Sequence, residues 1–296
     1  MNRAAALRRV GLMVLAVNLV LALAKGGVYL ATGSIAVGSE AVNSVADAVY
    51  SIVVVGGLYV TTQPPDFDHP HGHERIEPFV SLFVAIGIIG AGLAVLANAI
   101  RSILEGHAAV GGTAAIGVLG GAAIIKFLLY RYCLRMSKTY HSPAIEATAL
   151  DNRADVLTAG AALVGVIGGV AGYPFLDPIA GGLVSIGIIY TGLEIVIDNF
   201  GYLVGGAPPE DLQAEIVERA LSHPDVNGVH DVVPHYVGPE IDVSLHLEIE
   251  GERSLFDAHE IETDVVTSIR EIPEIDDVFV HLDPKELGEW KDEQES

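Results

Sequence analysis

The sequence is short of cysteine and of charge, and both shortages limit what the protein can be. Its 296 residues contain one cysteine, Cys133, which lies in an apolar stretch. A single thiol excludes a disulfide framework and a metal cage built from thiolates. Charged residues make up 18% of the chain and apolar residues 51%, whereas a soluble domain carries about a quarter charged residues. The shortfall indicates that part of the chain is not surrounded by water.

Basic residues are scarce in the last third of the chain. Residues 207–296 contain 25 acids against five bases, while residues 1–206 hold 13 acids and 11 bases. So acidic a region cannot neutralise phosphates, which argues against nucleic acid as a partner and against docking on anionic lipids. The acidity suits a protein solvated in high salt, as in a halophilic archaeon, or simply keeps a cation-handling protein soluble. The contrast indicates two regions in two solvents.

Six apolar stretches are each long enough to cross about 30 Å of hydrocarbon as a helix. They cover residues 10–31, 35–61, 78–104, 112–136, 143–170 and 178–201. The first is too long for a cleavable signal peptide, lacks a small-residue cleavage site and is followed at once by a second stretch. The sequence therefore predicts a bundle of six transmembrane α-helices over residues 1–206.

Lysine and arginine are unevenly distributed between the short loops. Three arginines precede the first stretch and Arg75 lies between the second and third, whereas the opposite side offers little beyond Arg101. Basic loop residues stay in the cytoplasm. We therefore expect a multi-pass protein of the cell membrane with both termini in the cytoplasm.

The pattern changes after residue 206 to that of a small α+β domain. It predicts a helix from Glu210 to about Leu221, strands near 227–236 and 240–249, a helix over about 254–271 and a strand at 276–282. Apolar and polar residues alternate in the second strand, which is typical of a strand with one buried face. This order suggests a ferredoxin-like cytoplasmic domain over residues 207–285, followed by an acidic tail at 286–296.

Four polar residues interrupt two of the apolar stretches. Asn43 and Asp47 lie in the second stretch, and Asp151 and Asp155 lie in the fifth. Polar groups are so unfavourable in a bilayer that each is a functional hypothesis by default. In both pairs the spacing is four residues, which places the two side chains on one helix face, one turn apart. Two such faces brought together would supply four oxygen-bearing side chains to a dehydrated divalent cation.

Other interpretations of these polar residues are weaker. The acids could be paired with bases for packing: Arg153 points to another part of its helix, while Lys25 and Lys126 are other partners within the apolar stretches. An intramembrane metallohydrolase would need a HExxH helix or an activated nucleophile, and no apolar stretch contains a histidine. A channel would favour a continuous ring of ligands. We therefore expect a carrier and not an enzyme.

Several runs resemble the motifs of one transporter family. Residues 38–47 (GSEAVNSVAD), 64–78 (PPDFDHPHGHERIEP) and 149–158 (ALDNRADVLT) resemble the second span, the following loop and the fifth span of the cation diffusion facilitators. The C-terminal runs His246-Leu247-Glu248, Ala258-His259 and His281-Leu282-Asp283-Pro284 are also similar. The resemblance covers nearly the whole chain.

This resemblance implies a homodimeric exporter that exchanges a divalent cation for protons by alternating access, with the cytoplasmic domain pairing the protomers. Zinc-type members usually place histidine in the four-residue site, whereas the set here is Asn43, Asp47, Asp151 and Asp155. Ligation by oxygen alone lowers the advantage of Zn²⁺ and suits the harder Mn²⁺. Members that resemble manganese exporters carry such a set. We therefore expect Mn²⁺ as the cargo, with Fe²⁺ second and Zn²⁺ or Co²⁺ third.

The loop after the second stretch is rich in metal-binding residue types. Asp66, Asp68, His69, His71 and His73 occupy eight positions. In the family, the positions that match Asp66, His69 and His73 form a second metal site, which would here offer two nitrogens and one oxygen. The alternative is a structural hinge whose histidines respond to pH.

The family's cytoplasmic metal sites match five residues that are distant in the sequence. They are His230, His246, His259, His281 and Asp283. We expect these residues to converge at a dimer interface and to hold structural metal ions, which would tie the pairing of protomers to cytosolic metal. The alternative is a set of solvated surface histidines.

Overall fold

The computed structural model describes residues 3–32, 35–64, 66–69, 72–105, 113–173 and 175–285. Six long helices come first: α1 (Arg3–Thr32), α2 (Ile35–Thr61), α3 (Ile76–Glu105), α4 (Thr113–Tyr140), α5 (Pro143–Val170) and α6 (Leu176–Leu203). They are followed by α7 (Glu210–Leu221), β1 (Gly228–Val237), β2 (Glu240–Ile249), α8 (Leu255–Ile269) and β3 (Ile275–Pro284). Two compact units result, Met1–Phe200 and Gly201–Ser296. The acidic tail predicted at 286–296 lies outside the described residues.

Five of the six long helices, α1–α4 and α6, are long and apolar enough to cross a membrane. Helix α5 has a similar length of 28 residues, but it carries four charged residues in its first half. Those charges leave an apolar remainder that is too short to span hydrocarbon by itself. Hydropathy in the described part of the chain therefore supports five spans, and the sixth stays a prediction.

Large apolar side chains cover the outer surface of the first unit. Leu23, Leu128 and Leu183 are each more than 60% exposed, and many other apolar residues of the helices are also exposed. A soluble protein rarely exposes so extensive an apolar surface. Helices also satisfy their own backbone hydrogen bonds, which a lipid environment requires. The first unit is therefore built for contact with hydrocarbon chains.

A buried ion pair fixes one end of the helix bundle. Glu77 at the start of α3 is fully buried, and its Oε2 accepts a hydrogen bond from Nη2 of Arg3 on α1 at 3.1 Å. The same arginine donates through Nε to the carbonyl of Tyr140 at the end of α4 at 3.1 Å. Ser142 donates to the other oxygen of Glu77. Because a buried carboxylate is strongly destabilised without partners, these contacts hold α1, α3 and the α4–α5 turn together.

The second unit contains a three-stranded sheet in the order β1-β2-β3. Strands β1 and β2 are antiparallel, and β2 and β3 are parallel, so α8 is the crossover that a parallel pair requires. The five alternating apolar residues of β2 are at most 5% exposed. The first four of them, from Ile241 to Leu247, belong to one core with Ile216 of α7 and Val265 of α8. The predicted alternation of β2 is therefore confirmed.

The order of elements in the second unit is also the predicted one, helix–strand–strand–helix–strand. The ferredoxin-like order is β-α-β-β-α-β, and the described residues contain that order without its first strand. The ferredoxin-like assignment therefore stays a prediction.

Candidate metal sites

The four residues predicted to form the intramembrane site border one cavity. Asn43 and Asp47 reach it from α2, and Asp151 and Asp155 reach it from α5. The cavity has a volume of about 240 Å³, which is large enough for a hydrated ion. The polar faces of α2 and α5, which the four-residue spacing predicts, therefore border the same cavity.

Lys126, one of the two lysines within the apolar stretches, contacts two of these acids. Its Nζ on α4 is 3.0 Å from Oδ2 of Asp47 and 2.7 Å from Oδ2 of Asp155. The lysine side chain is 5% exposed, against 12% for Asp47 and 23% for Asp155. The ammonium group thus bridges α2 and α5 from a third helix. The pairing of acids with a base therefore applies to two of the three carboxylates.

The three acids do not converge on a single point in this conformation. Within the described residues, Asp47, Asp151 and Asp155 do not form a group whose ligand oxygens all lie within 4.8 Å of one another, although two other clusters meet that condition. Asn43 is exposed. In this conformation Lys126 lies between Asp47 and Asp155. To form a cage of four ligands, the carboxylates of α2 and α5 must therefore move closer together.

Arg153 is directed away from the acids that flank it in the sequence. It donates through Nη2 to Oγ1 of Thr191 on α6 at 2.7 Å. This agrees with the expectation from helix spacing that residues two positions apart do not share a face. The contact instead joins α5 to α6.

Two polar residues that the sequence did not single out form part of the cavity wall. Asn18 of α1 donates to Oγ of Ser51 at 2.8 Å, and Ser51 donates to the backbone carbonyl of Asp47 at 2.8 Å. Both residues line the cavity. They fix α1 against the turn of α2 that carries Asp47. In the sequence, Asn18 stands out as an asparagine within an apolar stretch. Its position does not show which residue it contacts.

The loop between α2 and α3 brings its three predicted ligands together. Oδ1 of Asp66 is 3.0 Å from Nδ1 of His69, and Oδ2 is 3.6 Å from Nε2 of His73. One ligand atom of each residue lies within 4.8 Å of those of the other two. Two nitrogens and one oxygen form an open set that fits a divalent metal. His71 lies outside the described residues.

Asp66 also organises the backbone of this loop. Its Oδ1 accepts hydrogen bonds from the backbone N–H groups of Asp68 at 3.0 Å and His69 at 2.7 Å, which is the pattern of an Asx turn. The hydrogen bond from the backbone of His69 lowers the pKa of Asp66. The carboxylate is therefore charged, as a metal ligand must be, at any pH near neutrality.

Replacing Asp66 by asparagine separates these two roles. The amide oxygen still accepts from the backbone N–H groups of Asp68 and His69, but the negative charge is lost. We expect the loop to keep its turn while its affinity for a divalent metal falls by at least about tenfold. Metal titration of the full-length protein measures this, with Asp66→Ala as the variant that loses both turn and charge. Wild-type affinity in Asp66→Asn would show that Asp66 is not a ligand.

In the second unit, strand register places three predicted histidines in one row. His230 of β1 pairs with His246 of β2, and His246 pairs with His281 of β3. Their ring centroids are 5.1 Å and 4.7 Å apart. Paired residues on neighbouring strands project from the same face of a sheet. The register therefore explains how residues distant in the sequence become neighbours.

Asp283 lies among these three histidines. Its Oδ2 is 2.8 Å from Nδ1 of His246 and 3.4 Å from Nε2 of His230, and its Oδ1 is 3.3 Å from Nε2 of His281. Asp283, His230 and His246 each offer a ligand atom within 4.8 Å of the other two. Two nitrogens and one oxygen again fit a divalent metal.

His259 is the predicted cytoplasmic ligand that the structure does not bring to this cluster. It lies on α8, where its Nδ1 is 3.5 Å from Oε2 of Glu262, and its side chain is 75% exposed. Within the described part of the chain, the converging group contains His230, His246 and Asp283 but not His259.

Replacing His246 by alanine is expected to remove the metal-dependent stabilisation of the second unit. At a metal concentration 100 times the Kd, a site that binds only the folded state stabilises it by about 2.7 kcal/mol. Thermal unfolding of the full-length protein with and without metal measures this rise in Tm. His259→Ala is the matched control, because it removes a histidine outside the cluster. An equal loss of the Tm rise in both variants would contradict the assignment.

Almost the whole chain is similar to known proteins. Residues 12–204 match the cation efflux transmembrane domain, and residues 208–285 match the cytoplasmic domain of cation efflux proteins. An uncharacterized transporter of Methanocaldococcus jannaschii is 32% identical over 266 residues, which cover 90% of this chain and 94% of the relative.

Two further relatives come from bacteria. The manganese efflux system protein MneS of Bacillus subtilis is 26% identical over 250 residues, which cover 84% of this chain and 85% of the relative. The magnetosome protein MamM of Paramagnetospirillum magneticum is 28% identical over 287 residues, which cover 95% of this chain and 90% of the relative. The similarity thus extends over almost the full length of each protein.

Proposed function

The chain belongs to the cation efflux family of divalent metal transporters, and we propose that it exports Mn²⁺ from the cell in exchange for protons. Membership makes it a multi-pass membrane protein, with a cytoplasmic domain that pairs two protomers.

The observation that carries the proposal is the chemistry of the residues around the intramembrane cavity. Asn43, Asp47, Asp151 and Asp155 border one space and offer oxygen atoms alone. Mn²⁺ accepts oxygen ligands readily, whereas Zn²⁺ and Co²⁺ gain more from imidazole. A site without histidine therefore binds Zn²⁺ and Co²⁺ less tightly, so these metals compete less with Mn²⁺. The relationship to MneS, a manganese efflux protein of 26% identity, supports the same cargo.

We assign α5 as the sixth span because half of this polar set belongs to it. Asp151 and Asp155 of α5 border the cavity, and Arg153 is bonded to α6. Charged residues that face a cavity or a neighbouring helix are tolerated in a membrane, in contrast to those that face lipid. The basic loops then place both termini in the cytoplasm of a cell-membrane protein.

Transport would follow from competition between metal and protons for the same carboxylates. Cytosolic Mn²⁺ displaces protons from Asp47, Asp151 and Asp155, and the helices rearrange so that the site opens to the outside. Protons then displace the ion, and the protonated site returns. The carboxylates are the groups that can exchange charge in this cycle, since Asn43 is neutral. Its role is to shape the site or to contribute one neutral oxygen.

The loop and cytoplasmic clusters are proposed as further metal sites. Asp66, His69 and His73 would hold one ion, and the row centred on Asp283 would hold structural metal in the paired domains. The 25 acids over residues 207–296 support adaptation to high salt, as in halophilic archaea, because a dense acidic surface remains hydrated there.

Transport by the purified protein in liposomes tests the proposed cargo. Uptake of Mn²⁺, Fe²⁺, Zn²⁺ and Co²⁺ is measured side by side with an opposing proton gradient. We expect saturable, gradient-dependent uptake with kcat/KM for Mn²⁺ at least about tenfold above that for Zn²⁺. Equal or faster Zn²⁺ uptake would contradict the manganese assignment. Uptake that neither saturates nor depends on the proton gradient would indicate a channel.

A further inference from the structure

The ammonium group of Lys126 holds the carboxylates that the proposed function assigns to the metal. It is 3.0 Å from Asp47 and 2.7 Å from Asp155, and both contacts are to Oδ2. A buried charge is strongly destabilised unless it is paired, so these contacts fix the position of the lysine. A divalent ion bound to the same oxygens at about 2.1 Å would compete with the ammonium for their negative charge and repel it.

Lys126 does not border the large cavity. The 240 Å³ cavity is bordered by Asp47, Asp151 and Asp155. A second cavity, of about 30 Å³, is bordered by Lys126 and Lys25 together with Asp47 and Asp155. Asn43, Asp47 and Asp155 border both spaces and so lie between them. Metal can reach the two acids from the large cavity, while the lysine holds them from the small one.

The small cavity gives the lysine room to move. A volume of about 30 Å³ is enough to hold at least one water molecule. The four-carbon stem of lysine is flexible, so its ammonium can withdraw by side-chain rotation without a shift of α4. Thr158 also borders this cavity and offers a hydroxyl that can accept a hydrogen bond from the displaced group.

We propose that Lys126 is an internal counter-cation of the transport site. Its ammonium neutralises Asp47 and Asp155 while no ion is bound, withdraws into the small cavity as a divalent ion binds, and returns to the acids as the ion leaves. This inference rests on the proposed function, because it takes Asp47 and Asp155 as ligands of the cargo. Since the competitor is part of the chain, its effective concentration is constant. It lowers the affinity for metal and accelerates release.

A purely structural lysine would behave differently. If Lys126 served to join α2, α4 and α5, its removal would loosen the walls of the site and weaken metal binding. An internal competitor has the opposite signature, because its removal strengthens binding and slows release. The direction of the change in affinity therefore distinguishes the two roles.

The test uses the full-length protein with Lys126→Met, which keeps the length of the side chain and removes its charge. Equilibrium binding of Mn²⁺ is measured in detergent at pH 8, where protons compete little, and transport is measured in liposomes. We expect about a tenfold or larger increase in affinity, with KM and kcat both reduced. Lys126→Arg, which keeps the charge, is expected to stay close to the wild type. Lys138→Met near the end of the same helix is the matched control and should change neither quantity.

Asp47→Asn in the same binding assay separates this inference from the proposed function. If Asp47→Asn loses Mn²⁺ binding at the site but Lys126→Met binds no more tightly than the wild type, the counter-cation role is wrong and the transport site stands. If Asp47→Asn binds as the wild type does, the transport site itself is wrong. Should Lys126→Met not fold, Lys126→Gln gives the same measurement, since its amide can donate to the acids without a charge.

Discussion

Replacing Asp155 by asparagine is expected to lower kcat/KM for Mn²⁺ by at least about 100-fold, which corresponds to about 2.7 kcal/mol of lost transition-state stabilisation. The substitution conserves shape but removes one of the three carboxylates at the large cavity. In the proposed exchange, Asp155 also takes up a proton during the return step, so the substitution affects both metal binding and proton binding. Uptake of Mn²⁺ into liposomes with an opposing proton gradient measures the loss.

The control for Asp155→Asn is an acid of a different long helix. Asp198 lies on α6, where it is exposed on the surface of the first unit, and it is not among the residues that border the cavity. Asp198→Asn should leave transport within about twofold of the wild type, because it removes a charge from the same hydrophobic region without touching the site. Transport by Asp155→Asn at more than half of the wild-type rate would contradict the proposed site.

Introducing histidine at position 43 is expected to change which metal is carried. Asn43 borders both the large and the small cavity, so an imidazole there adds a nitrogen ligand beside Asp47. Zn²⁺ gains more from a nitrogen ligand than Mn²⁺ does. We expect the ratio of kcat/KM for Zn²⁺ to that for Mn²⁺ to rise by at least about tenfold in Asn43→His.

Asn43→Gln is the comparison for this change, because it keeps the amide and alters only its reach. It should reduce transport of both metals without a large change in their ratio. An unchanged ratio in Asn43→His, with transport retained, would show that residue 43 does not contact the cargo. The specificity would then have to come from the three carboxylates alone.

The elements of this fold could be predicted because each depends on a local pattern. Long apolar stretches mark the first six helices, and the alternation from Ile241 to Ile249 marks a strand with one buried face. The ends of helices are less well specified: α1 begins at Arg3 and α4 continues to Tyr140, beyond the apolar residues that predicted them. A helix continues past the hydrocarbon wherever its polar residues reach water or, as for Arg3, a buried acid.

The site could be predicted only as far as helix geometry and family resemblance allow. Spacing showed that Asp47 and Asp155 lie on polar faces, but the position of Lys126 depends on how α4 is rotated against α2 and α5. That rotation is a property of tertiary packing. The family resemblance implied that His230, His246 and His281 come together. The strand register, which the sequence does not give, explains how they do so. His259 matches the family by sequence alone and lies elsewhere, on α8.

The location of bound Mn²⁺ in a structure of the full-length dimer tests the central claim most directly. Anomalous scattering at the manganese edge identifies the ion independently of its ligands. The proposed function predicts a peak between α2 and α5, coordinated by carboxylate oxygens of Asp47, Asp151 and Asp155, with Nζ of Lys126 moved away from Asp47 and Asp155. Manganese found at the loop or cytoplasmic clusters but not between α2 and α5, under conditions in which the protein transports it, would contradict the proposed function.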